Sequence, residues 1–200
     1  MRDCSVQPGT AVFVDRDGTL NYDNGYVLSP EQLVLFSGVP EAIARLNRLG
    51  TMVILVTNQS AIGRGMMTME DLENIHARLA ALIRPYGASI DAIFSCPHRP
   101  QDGCGCRKPN TGLIDQAVDR FSLDLSHCYL IGDKPSDLEV AQKVSVPGVL
   151  VMTSSYSPKA LQARDEGQVA IEYVAETFSQ AVAWIEDDLL KRVNRTRLGG

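Results

Sequence analysis

The run Val53-Ile54-Leu55-Val56 offers no polar face to water. A strand of that kind persists only where helices cover both its sides, so the rest of the chain must supply them. Short apolar runs recur at 11–14, 92–95, 128–131 and 149–152, which with 52–56 makes five candidate strands. Between them the period changes. Val39, Ile43, Leu46 and Leu49 lie on one helical stripe, Leu72, Ile75, Leu79 and Leu82 on a second, and Leu113, Ala117, Val118 and Phe121 on a third. Gly50 and Gly87 fall where helices should stop, and Thr68 followed by Asp71 reads as a helix start with an acid in its first turn. Strands that alternate with helices join into a parallel sheet through helical crossovers. The expected fold is α/β, a Rossmann-like three-layer α/β/α sandwich around a central parallel sheet. A sixth strand at 170–174 and a helix at 176–191 complete it, and 194–200 is expected to be a frayed, disordered tail.

A length of 200 residues with 44% hydrophobic content fits one core, hence a single domain over 1–200 with its core at about 11–175. No stretch approaches the roughly 20 apolar residues that cross a bilayer. Residues 1–20 lack an apolar segment followed by a small-residue cleavage site. The expectation is a soluble, cytoplasmic protein with no membrane partner, and a monomer, because no long apolar stripe is left unassigned. A net charge of −5 argues against a nucleic-acid partner, which calls for a basic face.

Two connections are long, 18–37 and 96–111, and both leave carboxyl ends of predicted strands, where ligands bind in open parallel sheets. Asp15-Arg16-Asp17-Gly18-Thr19, directly after Val12-Phe13-Val14, leads into the first. Residues two apart on extended backbone project to one side, so Asp15 and Asp17 can face one substrate while Arg16 points away. One carboxylate can attack and the other can trade protons; the plainer reading is a solvated turn with two incidental acids. Thr57-Asn58, Arg107-Lys108-Pro109 and Gly132-Asp133-Lys134 each follow another strand. Together they bring a hydroxyl, two cations and a third carboxylate to the same edge of the sheet.

The second long connection holds Cys96-Pro97-His98 and Cys104-Gly105-Cys106; Cys4 and Cys128 stand apart. Three thiolates and an imidazole fill a tetrahedral zinc and leave no position for water, so a structural zinc-binding loop is expected, with a metal-free reduced loop as the alternative. Arg107 and Lys108 follow the last ligand without a gap, so removing zinc should disorder both.

Across 12–152 these motifs resemble the haloacid dehalogenase superfamily of phosphatases. The resemblance implies Asp15 as nucleophile and Asp17 as general acid and then general base. It implies Mg²⁺ held by Asp15, the Asp17 main-chain oxygen and Asp133, with Thr57 and Lys108 stabilising the transferring phosphoryl group. The loop after the first strand is too short for the large cap domain that many members insert there.

Residues 21–27 and 57–65, with the cysteine loop and Gly132-Asp133-Lys134, are similar to the group acting on D-glycero-D-manno-heptose 1,7-bisphosphate. This implies loss of the C7 phosphate, within ADP- or GDP-heptose biosynthesis. It implies that Asp23, Asn24, Gly25 and Tyr26, and Thr57, Asn58, Gln59 and Ser60, line the sugar bisphosphate. Arg64 and Arg107 would serve the remote phosphate, with Lys134 near the reacting one. The five residues between His98 and Cys104 resemble instead the enzymes acting on histidinol phosphate, which remains an alternative. A zinc-stabilised, non-catalytic phosphometabolite-binding module is a second.

Plainer readings stand beside some residues. Tyr26 can be a packing anchor, Arg64 a solvated cation, and Asp137 either an outer partner of the metal or a first-turn acid. His76 is expected at the surface, His127 at a strand edge and Cys128 in the core.

Overall fold

The computed structural model describes residues 9–23 and 25–198. Its strands are β1 (Ala11–Val14), β2 (Met52–Asn58), β3 (Ala92–Cys96), β4 (Tyr129–Gly132), β5 (Gly148–Val151) and β6 (Tyr173–Ala175). They form one parallel sheet in the order β3-β2-β1-β4-β5-β6. The helices are α1 (Val39–Arg48), α2 (Ser60–Gly63), α3 (Met69–Ile83), α4 (Gly112–Phe121), α5 (Pro135–Lys143), α6 (Ser157–Asp165) and α7 (Phe178–Leu198).

The pleat of β1 sorts the core. Val12 and Val14 join Ile43 of α1, Leu72, Ile75 and Leu79 of α3, and Val182 and Ile185 of α7 on one face of the sheet. Ala11 and Phe13 join Leu113, Ile114 and Ala117 of α4 on the other, where Leu138 and Ala160 bring in α5 and α6. This is the expected three-layer sandwich, with the apolar run of β2 buried throughout.

Chain order places the site. From β1 the chain builds outward through β2 to β3, then crosses back to lay β4 against the other side of β1. The strand order reverses there, and the carboxyl ends of β1 and β4 diverge into a crevice. The loop after β1 folds back on itself, joining Tyr22 N–H to Val34 O at 3.1 Å and Phe36 N–H to Leu20 O at 3.0 Å, with the Tyr22 and Phe36 rings 4.2 Å apart. It holds one short turn of 3₁₀ helix, Pro30–Gln32, and no cap domain.

The expected helix start at Thr68 is a capping box. Asp71 N–H donates to the Thr68 hydroxyl and Thr68 N–H to the Asp71 carboxylate. The late elements sit further along the chain than expected. β6 occupies 173–175 because its register follows β5, Val149 opposite Tyr173. α7 begins at Phe178 and continues to Leu198, into the segment expected to fray; residues 199–200, like Cys4 and Asn24, lie outside the described residues. Among the described residues no helix is long and apolar enough to cross a membrane.

Candidate active site

Asp15 is the first residue beyond β1, and its N–H continues the ladder by donating to Ile131 O at 3.0 Å. Its carboxylate is buried and accepts from the Lys108 ammonium at 2.8 Å. Lys108 also meets Asp137 at 2.6 Å and donates to Val56 O at 2.8 Å, so one cation ties the end of β1, the backbone of β2 and the first turn of α5 together. Its backbone is fixed by Asn58, whose side-chain oxygen accepts from Lys108 N–H and whose amide donates to Lys108 O, both at 3.1 Å. Burial disfavours charge on Asp15, but Lys108 and Lys134 outweigh it and hold the carboxyl below its ordinary value. Burial likewise works against charge on Lys108, and Asp137 and Asp15 reverse it, raising that pKa.

Asp133 lies at the end of β4 and is fully buried. The Thr19 hydroxyl donates to it at 3.0 Å and the Ser154 hydroxyl to its other oxygen. Burial and the adjacent Asp15 charge push Asp133 up to about 7. Gly18, with φ +92°, turns the chain above it; a Cβ there would meet Asp133 Oδ2 at 2.4 Å, so glycine is required. The Lys134 ammonium reaches over this crevice to Asp17 O at 2.9 Å and Asp23 at 3.1 Å, with Asp15 and Asp133 oxygens each at 3.9 Å. Carboxylate oxygens of Asp15, Asp133 and Asp137 lie within 4.8 Å of one another, a cluster able to hold a hard cation. Asp137 serves both as first-turn acid, accepting from Lys134 N–H, and as the second anchor of Lys108.

Asp17 differs from its sequence reading in its company. Arg16 does not point away; its guanidinium is fully buried and turns back on Asp17, with Nε to Oδ1 at 3.0 Å and Nη2 to Oδ2 at 2.8 Å. Behind it stands His76, which is half-buried rather than surface, its Nε2 3.4 Å from Arg16 Nη1. Burial and the Arg16 charge push His76 down to about 4, leaving it neutral and able to accept.

A chamber of about 490 Å³ opens beside this cluster, lined by Asp17, Asp23, Gly25, Tyr26, Asn58, Gln59, Arg107, Lys108 and Lys134 among others. Thr57 faces the adjoining recess with Asp15. Two of the candidate substrate residues are not on these walls. Ser60 is buried at the start of α2, and Arg64, at that helix's far end, is exposed. Three residues escaped the sequence reading: Tyr156, whose ring lies 5.2 Å from the Lys134 ammonium and lines the chamber, Ser154, and Thr153, whose hydroxyl donates to Gly18 O. All leave the carboxyl end of β5, and the hydroxyl cluster Thr153-Ser154-Ser155 was the available signal.

The cysteine loop brings its four candidate ligands together. Contacts among the Cys96, Cys104 and Cys106 sulfurs, and from Cys96 and Cys106 to His98 Nδ1, run from 3.2 to 3.6 Å. Tetrahedral ligands about 2.3 Å from an ion would stand roughly 3.8 Å apart, so the cage has near the right size. Burial raises Cys96 to about 12, whereas for Cys104 burial is outweighed by the contacts from Cys96, the Arg107 backbone and Cys106 together, which lower it to about 7. Arg107 donates to His98 O at 3.2 Å, which joins the loop to the chamber wall.

A family model described as HAD-hyrolase-like matches residues 105–181. The chain is 36% identical over 196 residues to the D-glycero-D-manno-heptose-1,7-bisphosphate 7-phosphatase of Thermosynechococcus vestitus, covering 92% of this chain and 100% of that one. It is 40% identical over 143 residues to the D-glycero-beta-D-manno-heptose-1,7-bisphosphate 7-phosphatase of Pseudomonas putida, covering 71% and 82%. Among solved structures it is similar to the D,D-heptose 1,7-bisphosphate phosphatase of B. bronchiseptica complexed with magnesium and phosphate. That match has a TM-score of 0.83 and 32% identity over 90% of this chain and 99% of that one.

Proposed function

The chain belongs to the D-glycero-D-manno-heptose-1,7-bisphosphate 7-phosphatase family of the haloacid dehalogenase superfamily, and from that membership we propose that it hydrolyses the C7 phosphate of heptose 1,7-bisphosphate to leave heptose 1-phosphate. The observation that carries the reading is the buried Asp15 carboxylate, kept ionised by Lys108 and Lys134 where the sheet opens into the chamber.

Asp15 attacks phosphorus and forms an acyl phosphate, which divides a difficult hydrolysis into two easier displacements. Asp17 gives a proton to the departing C7 oxygen and then takes one from the attacking water, whose oxygen bonds to phosphorus as the bond to Asp15 breaks. Lys108 and the Thr57 hydroxyl face the phosphoryl oxygens where charge develops. Arg107, on the chamber wall, offers paired donors to the phosphate that is held and not cleaved. Tyr26, Asp23, Asn58 and Gln59 line the intervening sugar, and Arg64 is left as a solvated cation.

Asp15, the Asp17 main-chain oxygen and Asp133 would hold magnesium, a role supported by the Lys134 ammonium already drawn toward these same oxygens. When bound, magnesium supplies the charge that offsets repulsion between a carboxylate and a phosphate dianion. Cys96, His98, Cys104 and Cys106 would hold structural zinc, a reading supported by the spacing and softness of the donors.

The test is kcat/KM with Mg²⁺ for both anomers of heptose 1,7-bisphosphate and for histidinol phosphate, with Asp15→Asn as the blank. A preference of about 100-fold for the bisphosphate, about 2.7 kcal/mol, is expected. A preference for histidinol phosphate would overturn the substrate and keep the mechanism; turnover of neither would favour a binding module.

A further inference from the structure

Arg16 is one of the largest fully buried side chains among the described residues. A buried guanidinium is costly unless every face is paired, so its partners indicate what the position is for. Two of its nitrogens grip the two oxygens of Asp17 as a fork, at 3.0 and 2.8 Å. Nη2 also donates to Gln59 Oε1 at 3.3 Å, and the third nitrogen, Nη1, faces His76 Nε2 at 3.4 Å. Asn21 donates to Asp17 Oδ1 at 3.0 Å and Gln59 to Asp17 Oδ2 at 2.8 Å. Each oxygen of Asp17 therefore accepts two hydrogen bonds, which fills the roughly four acceptor sites of an ionised carboxylate; to carry a proton the group must release one of the single contacts from Asn21 or Gln59 while the Arg16 fork holds.

A carboxylate so fully engaged cannot rotate independently of its cradle. We propose that Arg16 is a positioning residue for proton transfer: with His76 as its backstop, its fork sets the orientation from which the Asp17 carboxylate reaches the leaving oxygen and later the attacking water. This rests on the reading of Asp17 as the proton-transferring group. Arg16 itself lines neither the chamber nor the recess beside Asp15, and it acts on the proton transfer through Asp17. Lysine would preserve the charge and lose the fork, because an ammonium cannot match two carboxylate oxygens in one plane.

The experiment compares an alkyl phosphate, heptose 1,7-bisphosphate, with p-nitrophenyl phosphate, whose leaving group departs without a proton. Wild type, Arg16→Met, Arg16→Lys, His76→Leu and Asp17→Asn are assayed as the metal-loaded protein. Arg16→Met is expected to lower kcat on the sugar phosphate by 30-fold or more with KM changed less than threefold. The pre-steady-state burst of p-nitrophenol should keep its rate within about fivefold, since that step needs no acid. Arg16→Lys should show the same pattern at nearly the same size, and His76→Leu a milder version of it. Equal loss of both first steps in Arg16→Met, or full activity in Arg16→Lys, would overturn the proposal and leave Arg16 a packing residue. Should Arg16→Met fail to fold, Arg16→Lys and His76→Leu carry the same comparison. If Asp17→Asn shows no leaving-group dependence, the failure lies in the reading of Asp17 instead.

Discussion

Lys108 neutralises two buried carboxylates that would otherwise repel each other across the crevice. Removing one partner of a buried ion pair costs about 3–5 kcal/mol, because the other is left charged and dry. Lys108→Met should therefore lose stability of that order in urea unfolding, besides losing activity by about 10²–10³-fold, as for loss of a donor to the developing charge. Ser154 acts at one remove through the Asp133 oxygen it donates to. Ser154→Ala should weaken magnesium activation by about 10- to 100-fold, read as the half-saturating Mg²⁺ concentration, with kcat at saturation nearly kept. The contrast between these residues explains what the sequence made legible. Asp15 and Asp133 each sit at a strand end and Lys108 in the loop that follows β3, so locating the strands brings them to one edge of the sheet. Arg16 was misread because strand alternation fixes where a Cβ points, while a guanidinium several bonds further out is free to turn back. His76 was misread for a different reason: its helical neighbours are polar, and only the fold reveals the buried cation it faces.

At the scale of elements, the cysteine loop and α4 are packed too closely to move independently. A Cβ on Gly112 would lie 2.6 Å from Gly105 O, between two of the sulfur-bearing residues. Gly112→Ala should thus loosen the metal cage, measured as faster loss of zinc to a chelator. Zinc removal itself should have an uneven effect. Lys108 is held by Asn58 on β2 as well as by the loop, whereas Arg107 leans on His98 O. Chelation is therefore expected to raise KM for the bisphosphate several-fold while kcat falls much less; equal collapse of both would show that Lys108 depends on the metal too. The elements found least well from sequence are those with the weakest periodic signal. α6 buries only alanines and a serine, and α5 begins inside the motif that supplies Asp133, so neither shows a long apolar stripe.

For the molecule as a whole, with no cap domain among the described residues, substrate recognition is left to loops and to Tyr26 and Tyr156, both half-exposed beside the same chamber. The sheet order has a further consequence, for how the protein acquires activity during synthesis. Residues 15 and 133 meet only because β4 pairs with β1, from which two other strands separate it along the chain. Such long-range parallel pairing is slow to form, since loop closure precedes its reward. A nascent chain that has emerged only as far as β3 carries Asp15, Asp17 and the whole β1 loop and still lacks half of the crevice. During refolding, turnover should appear together with the slowest structural phase, never ahead of it, so that phosphatase activity serves as a direct reporter that the last strands have joined the sheet.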